Sequence, residues 1–133
     1  MTSHSFFITS LFAFTLVCLS SVSLASGPER VQADELMGML EGNEKVILID
    51  VRTPAEHYGA HIPGSVLMPL DTLEGVKSLP EGGRIILYCR SGKRSLTAID
   101  ILSRKGYKGL VDLDGGIISW TKAGGEIITG TEK

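Results

Sequence analysis

At 133 residues the chain has room for one domain. Thirteen Lys and Arg against fifteen Asp and Glu leave a formal net charge of −2, which gives no electrostatic case for nucleic acid or an anionic membrane surface. With two cysteines, Cys18 and Cys89, no disulfide framework is built, and one cysteine beside His57 and His61 makes a poor zinc set, so no metal is assigned.

Residues 1–25 read as a tract apart from the domain. Phe6 to Leu19 is apolar except for Thr9, Ser10 and Thr15, and small residues lead to Ser23-Leu24-Ala25. That pattern fits an export signal cleaved after Ala25, with the periplasm as the expected site of action. The first five residues carry no Lys or Arg, so an uncleaved anchor facing the periplasm is the rival; Phe6 to Leu24 is just long enough to span a bilayer. Cys18 is assigned no role. Removing the leader takes all four phenylalanines and leaves residues 26–133 as a single domain with an aliphatic core and one thiol.

In chain order, Ser26-Gly27-Pro28-Glu29 reads as a loose start. Ala33, Leu36, Met37 and Leu40 share a helical face that ends at Gly42-Asn43. Val46-Ile47-Leu48-Ile49 is a continuous apolar run, the pattern of a strand buried on both faces, and it ends at Asp50-Val51-Arg52. A short helix over 55–58, a short strand over 65–68 and a short helix over 70–76 follow. Residues 85–88 read as a second buried strand, and Leu96, Ile99 and Leu102 place a helix from Ser95 to Lys105-Gly106. A strand over 110–113, the turn Asp114-Gly115-Gly116 and a helix over 117–122 complete the chain. Strands alternating with helices predict a parallel sheet covered on both faces.

Cys89 follows the second buried strand directly, in Cys89-Arg90-Ser91-Gly92-Lys93-Arg94-Ser95. A thiol between a strand end and a helix start faces unpaired N–H groups and the positive end of the helix dipole, both of which stabilise a thiolate. Arg90, Lys93 and Arg94 add positive charge and further lower the thiol pKa. The loop therefore reads as the seat of a nucleophile, exposed enough to face sulfenic or sulfinic oxidation. The local positive charge suits a small anionic substrate. Outside the loop, Arg52 is expected to brace Glu56, Asp50 to stand near the site, His61 to be a hydrogen-bonded turn histidine, and His57 to be partly exposed.

Taken in order, Asp50-Val51-Arg52, Glu56 with His61-Ile62-Pro63-Gly64-Ser65, the Cys89–Ser95 loop, and Asp114-Gly115-Gly116 with Trp120 resemble the single-domain rhodaneses, above all the small exported thiosulfate sulfurtransferases of bacteria. The resemblance covers residues 30 to 125. It implies an α/β, rhodanese-like fold: a five-stranded parallel sheet flanked by helices on both faces, with the cysteine in a cradle-shaped loop. Two departures are His57, where the family usually has Phe or Tyr, and Ala60 in place of Gly. It also implies a sulfurtransferase without a cofactor. Cys89 would take the sulfane sulfur of thiosulfate or a similar donor as a persulfide and pass it to cyanide or a thiol. Arg90, Ser91, Gly92, Lys93, Arg94 and Ser95 would bind the donor.

Two other functions compete with this one. A persulfide carrier or interaction module serving a protein partner needs the same cysteine, although inactive modules commonly lack it. Cysteine-based phosphatases and arsenate reductases place five residues between Cys and Arg to surround a tetrahedral oxyanion. Here four separate Cys89 from Arg94, which fits sulfur chemistry better.

Overall fold

The apolar runs become strands of one parallel sheet. The computed structural model describes residues 26–131, and the leader expected over 1–25, with Cys18, lies outside the described residues. In order the elements are β1 (Glu29–Val31), α1 (Ala33–Glu41), β2 (Val46–Asp50), α2 (Pro54–Gly59), β3 (Val66–Leu67), a 3₁₀ helix (Leu70–Gly75), β4 (Arg84–Tyr88), α3 (Lys93–Arg104), β5 (Val111–Leu113) and α4 (Gly116–Lys122). The strands lie in the order β1-β5-β4-β2-β3, and each neighbouring pair is parallel. All carboxyl ends thus share one edge of the sheet, the edge where sites gather in such folds. β4 is central, and Cys89 is the residue after it.

Alternate side chains of β4 feed two cores. Ile86 and Tyr88 pack with Leu36 of α1 and with Ile117 and Trp120 of α4. Leu87 and Cys89 pack with Ala98, Ile99 and Leu102 of α3 and with Leu73 of the 3₁₀ helix. Each fully buried Leu or Ile contributes about 1.5–3 kcal/mol relative to an exposed one. Burial on both faces explains why β2 and β4 read as unbroken apolar runs.

The sheet edges depart from the sequence reading. Where a loose start was expected, Glu29–Val31 pairs with β5, Glu29 opposite Val111 and Val31 opposite Leu113. Of these three residues only Val31 is buried, so β1 carries no apolar alternation to announce it. Short, charged strands are the usual finish of a sheet edge. The other edge strand, β3, shrinks to two residues within the expected 65–68. α3 begins two residues earlier than expected, which places Lys93 and Arg94 in its first turn.

Candidate active site

The loop from Cys89 to Ser95 closes around the thiol. Gly92 has φ 99°, in the left-handed region open to glycine, and this turn brings its N–H to 3.1 Å from Cys89 Sγ. Ser95 Oγ lies 3.5 Å from the same sulfur. Burial opposes ionisation of Cys89, but hydrogen bonds to the sulfur, from the Ser95 hydroxyl when its one proton is turned that way and from the backbone N–H groups of Ser95, Gly92 and Ser91, outweigh it and hold the thiol below its usual value. The open thiol expected from the sequence is corrected: Cys89 is 1% exposed. Its side chain follows the alternation of β4 inward toward α3, and the loop wraps over it.

The far wall of the loop is held by α4. Two N–H groups of its first turn, of Ile117 and Ile118, donate to the carbonyls of Cys89 and Arg90 at 2.9 and 3.2 Å. With those carbonyls turned toward α4, the loop's N–H groups remain for the sulfur. Gly116 permits this contact, with φ 60° and no room for a side chain: a Cβ there would stand 2.4 Å from the Cys89 carbonyl oxygen and 2.6 Å from that of Arg90. Gly116→Ala is expected to cost about 2–4 kcal/mol through left-handed strain and overpacking. It should also slow alkylation of Cys89 in the folded fraction, as urea unfolding and iodoacetamide kinetics would show.

The residues after β2 form a second cluster, and here the expected pairing is overturned. Arg52 does not brace Glu56. Its N–H and Nε bond Asp50 Oδ1 at 3.0 and 2.9 Å, its Nη2 reaches Asp50 Oδ2 at 2.6 Å, and Nη2 also donates to the Ala60 carbonyl at 2.7 Å. The backbone bond turns the chain back on Asp50, so the guanidinium meets the carboxylate two residues earlier. Glu56 instead grips Arg94 of α3 with both oxygens, at 2.7 and 2.8 Å, which holds its carboxyl down at about 2. Its place is set by a capping box with Thr53 at the start of α2, visible in Thr53-Pro54-Ala55-Glu56 as the pattern of such a box.

His57 is buried rather than partly exposed. Its Nδ1 lies 2.9 Å from Asp50 Oδ2, and its ring stacks on His61 at 3.9 Å between centroids. A planar ring thus fills a place an aromatic residue would fill, and adds a polar contact. His61 Nδ1 lies 2.8 Å from the His57 carbonyl, as expected of a bonded turn histidine. Ala60 has φ −166°, extended backbone that needs no glycine. Burial pushes Tyr88 up to about 12, and its neutral hydroxyl joins the Ile62 N–H and Ser65 Oγ.

Arg90 and Lys93 are exposed and make no ion pair among the described residues, whereas Arg94 is engaged by Glu56. The sequence reading also missed Asp112, a fully buried carboxylate in β5 that accepts from Ser95 Oγ at 2.5 Å. The signal was present: an acidic residue between the apolar neighbours of a parallel strand is rare without a partner. No group of three His, Cys, Asp or Glu that could hold a metal ion occurs among the described residues.

Residues 32–123 match the Rhodanese-like domain family. The chain belongs to that family. Among its relatives, a sulfurtransferase of Allochromatium vinosum is 34% identical over 74% of this chain and 92% of its own length. The probable adenylyltransferase/sulfurtransferase MoeZ of Mycobacterium tuberculosis is 34% identical over 82% of this chain, but the match spans only 29% of that larger protein. A rhodanese-like domain protein of Staphylococcus aureus has a crystal structure similar to this one, with a TM-score of 0.65 at 29% identity over 76% of this chain and 99% of that one. In this rhodanese-like chain the five-stranded parallel sheet and its two helical layers stand as the sequence implied, and sulfur transfer is the family chemistry.

Proposed function

We propose that the protein is a thiosulfate sulfurtransferase that works through a persulfide on Cys89. The observation that carries this reading is the thiol's setting: Sγ 3.1 Å from the Gly92 N–H, at the foot of a loop whose Arg90 and Lys93 have no ion-pair partner among the described residues. The Cys89 thiolate attacks the sulfane sulfur of thiosulfate. The S–S bond of the donor breaks, sulfite leaves with the bonding pair, and the new terminal sulfur of the persulfide carries the negative charge. The loop N–H groups that favour a thiolate favour this anion too. Arg90 and Lys93 meet the donor's charge, and Arg94 does so through whatever capacity Glu56 leaves it. Cyanide or a thiolate then takes the outer sulfur, and Cys89 returns as thiolate.

Beside the loop lies a groove of about 740 Å³ whose lining includes Ala55, Ile117, Ile118 and Ile127 together with Arg90 and Lys122. Its apolar walls favour a thiol with a carbon body over cyanide as the natural acceptor. Action in the periplasm belongs to the same reading and rests on the leader pattern of residues 1–25.

Intact-mass and peptide mass spectrometry after thiosulfate treatment test the proposal. One added sulfur on the Cys89 peptide is the expected result, released as thiocyanate when cyanide is supplied. If no sulfur adds, the proposal fails for this donor. If sulfur adds but neither cyanide nor a small thiol removes it, the protein is a carrier that serves a protein partner.

A further inference from the structure

A thiol that is 1% exposed needs a route by which to lose its proton, and a buried acid stands near it. Asp112 is fully buried in β5, on the face turned toward α3. Its Oδ1 is 2.5 Å from Ser95 Oγ, and Ser95 Oγ is 3.5 Å from Cys89 Sγ; Ser95 itself is fully buried. The three side chains form a closed line from sulfur to carboxylate.

A serine hydroxyl has one proton to give. While Asp112 is ionised, that proton is committed to the carboxylate, and toward Cys89 the Ser95 oxygen can only accept, from the neutral S–H. Ser95 can donate to a thiolate only when Asp112 holds a proton of its own and donates it to Ser95. The charge states of Cys89 and Asp112 are therefore tied together.

We infer that Asp112 is the proton acceptor for Cys89, acting through Ser95. The thiol proton passes to Ser95 Oγ as the Ser95 hydroxyl proton passes to Asp112 Oδ1. Cys89 becomes a thiolate, Asp112 a neutral acid, and Ser95 a hydroxyl that now donates to sulfur. No charge enters or leaves the buried trio, so the desolvation that opposes a new buried charge does not oppose this transfer. The inference rests on the sulfur-transfer reading for its purpose, though not for its chemistry. Asp112 touches no substrate and is a positioning residue.

The surroundings agree. Burial pushes the Asp112 carboxyl up, against the opposing hydrogen bonds from Ser95 and Arg30, so it takes a proton more readily than a surface aspartate. Arg30 on β1 bonds Asp112 Oδ2 at 3.0 Å, but its side chain is 42% exposed and is shared with Asp114, 2.9 Å from Nη2, which dilutes its hold. On the thiol side stand Arg90 of the loop, Lys93 and Arg94 of α3, the latter with its partner Glu56 of α2, and Asp50 at the end of β2. These are fixed ion pairs or solvated cations, and none lies between Cys89 and Asp112.

The test needs no sulfur donor, so failure of persulfide formation leaves it standing, and its own failure leaves the sulfur-transfer reading untouched. Iodoacetamide alkylation of Cys89 across pH is expected to rise in two steps in the wild type, since two linked groups share the proton. Asp112→Asn and Ser95→Ala are each expected to lose one step. On alkylation of the wild type near neutral pH, difference infrared spectra should show loss of a protonated-carboxyl band, missing in Asp112→Asn. A single-step wild-type profile that Asp112→Asn leaves unmoved would overturn the inference. So would a wild-type spectrum without that band, which needs no variant to fold.

Discussion

Cys89→Ser is expected to take up no sulfur from thiosulfate while keeping its fold. Serine places an oxygen where the sulfur stood, among the same partners: the Gly92 N–H and Ser95 Oγ. The hydroxyl is therefore satisfied, and the stability change should stay near about 1 kcal/mol. Chemistry, in contrast, should vanish. The loop lowers a pKa that begins near 8.5 for a thiol, and no such cradle brings an alcohol to ionise near neutrality. Intact mass after thiosulfate reads the first result, and a thermal melt reads the second. A sulfur still bound to the folded variant would place the acceptor atom elsewhere in the chain.

The part of this site that was legible in the sequence is the part written in one stretch of chain. An apolar run, a thiol, a glycine and a helical face lie in consecutive residues from Ile85 to Leu102, and the parallel fold puts that strand end where sites form. What the sequence concealed are the partners brought in from elsewhere. Glu56 and Arg94 are 38 residues apart and meet only because α2 and α3 converge beside the carboxyl ends of the strands. The capping box fixed the place of Glu56 but not that its carboxylate would also face Arg94. The bond from Ser95 to Asp112 is hidden for the same reason, since the two are 17 positions apart, and β1 because a charged edge strand has no periodicity to read. The burial of Cys89 follows from the alternation along β4: Leu87 and Cys89 point one way, Ile86 and Tyr88 the other. That alternation is present in the sequence, but the glycine and the charged residues that follow the thiol carry the signature of a loop and mask it.

Arg52→Ala is expected to be the most damaging of the charge deletions. Asp50 is fully buried and Arg52 is 5% exposed, and the pair is closed by bonds at 2.6 and 2.9 Å. Removing the guanidinium strands a carboxylate away from water and also frees the Ala60 carbonyl, which Arg52 caps at 2.7 Å. Deleting one partner of such a pair costs about 3–5 kcal/mol, a large fraction of the roughly 5–15 kcal/mol that holds a domain together. The backbone N–H of residue 52, 3.0 Å from Oδ1, and His57, 2.9 Å from Oδ2, remain, so Asp50 keeps two hydrogen-bonding contacts and the variant should fold but melt early. The pH dependence identifies the cause. Burial raises the Asp50 carboxyl, but the hydrogen bonds of Arg52 and His57 and the Arg52 charge outweigh it and leave it below its usual value. A carboxyl depressed by folding stabilises the protein above its unfolded value, near 3.9, and that contribution is lost as pH falls through the folded value. In Arg52→Ala the depression is removed and burial dominates, so protonating Asp50 relieves the variant. Urea midpoints should therefore differ widely between wild type and variant at pH 7 and converge toward pH 4, with unchanged slopes. A difference that stayed constant with pH would mean that Arg52 matters for packing over the Tyr88 ring, 5.5 Å away, and not for the charge it neutralises.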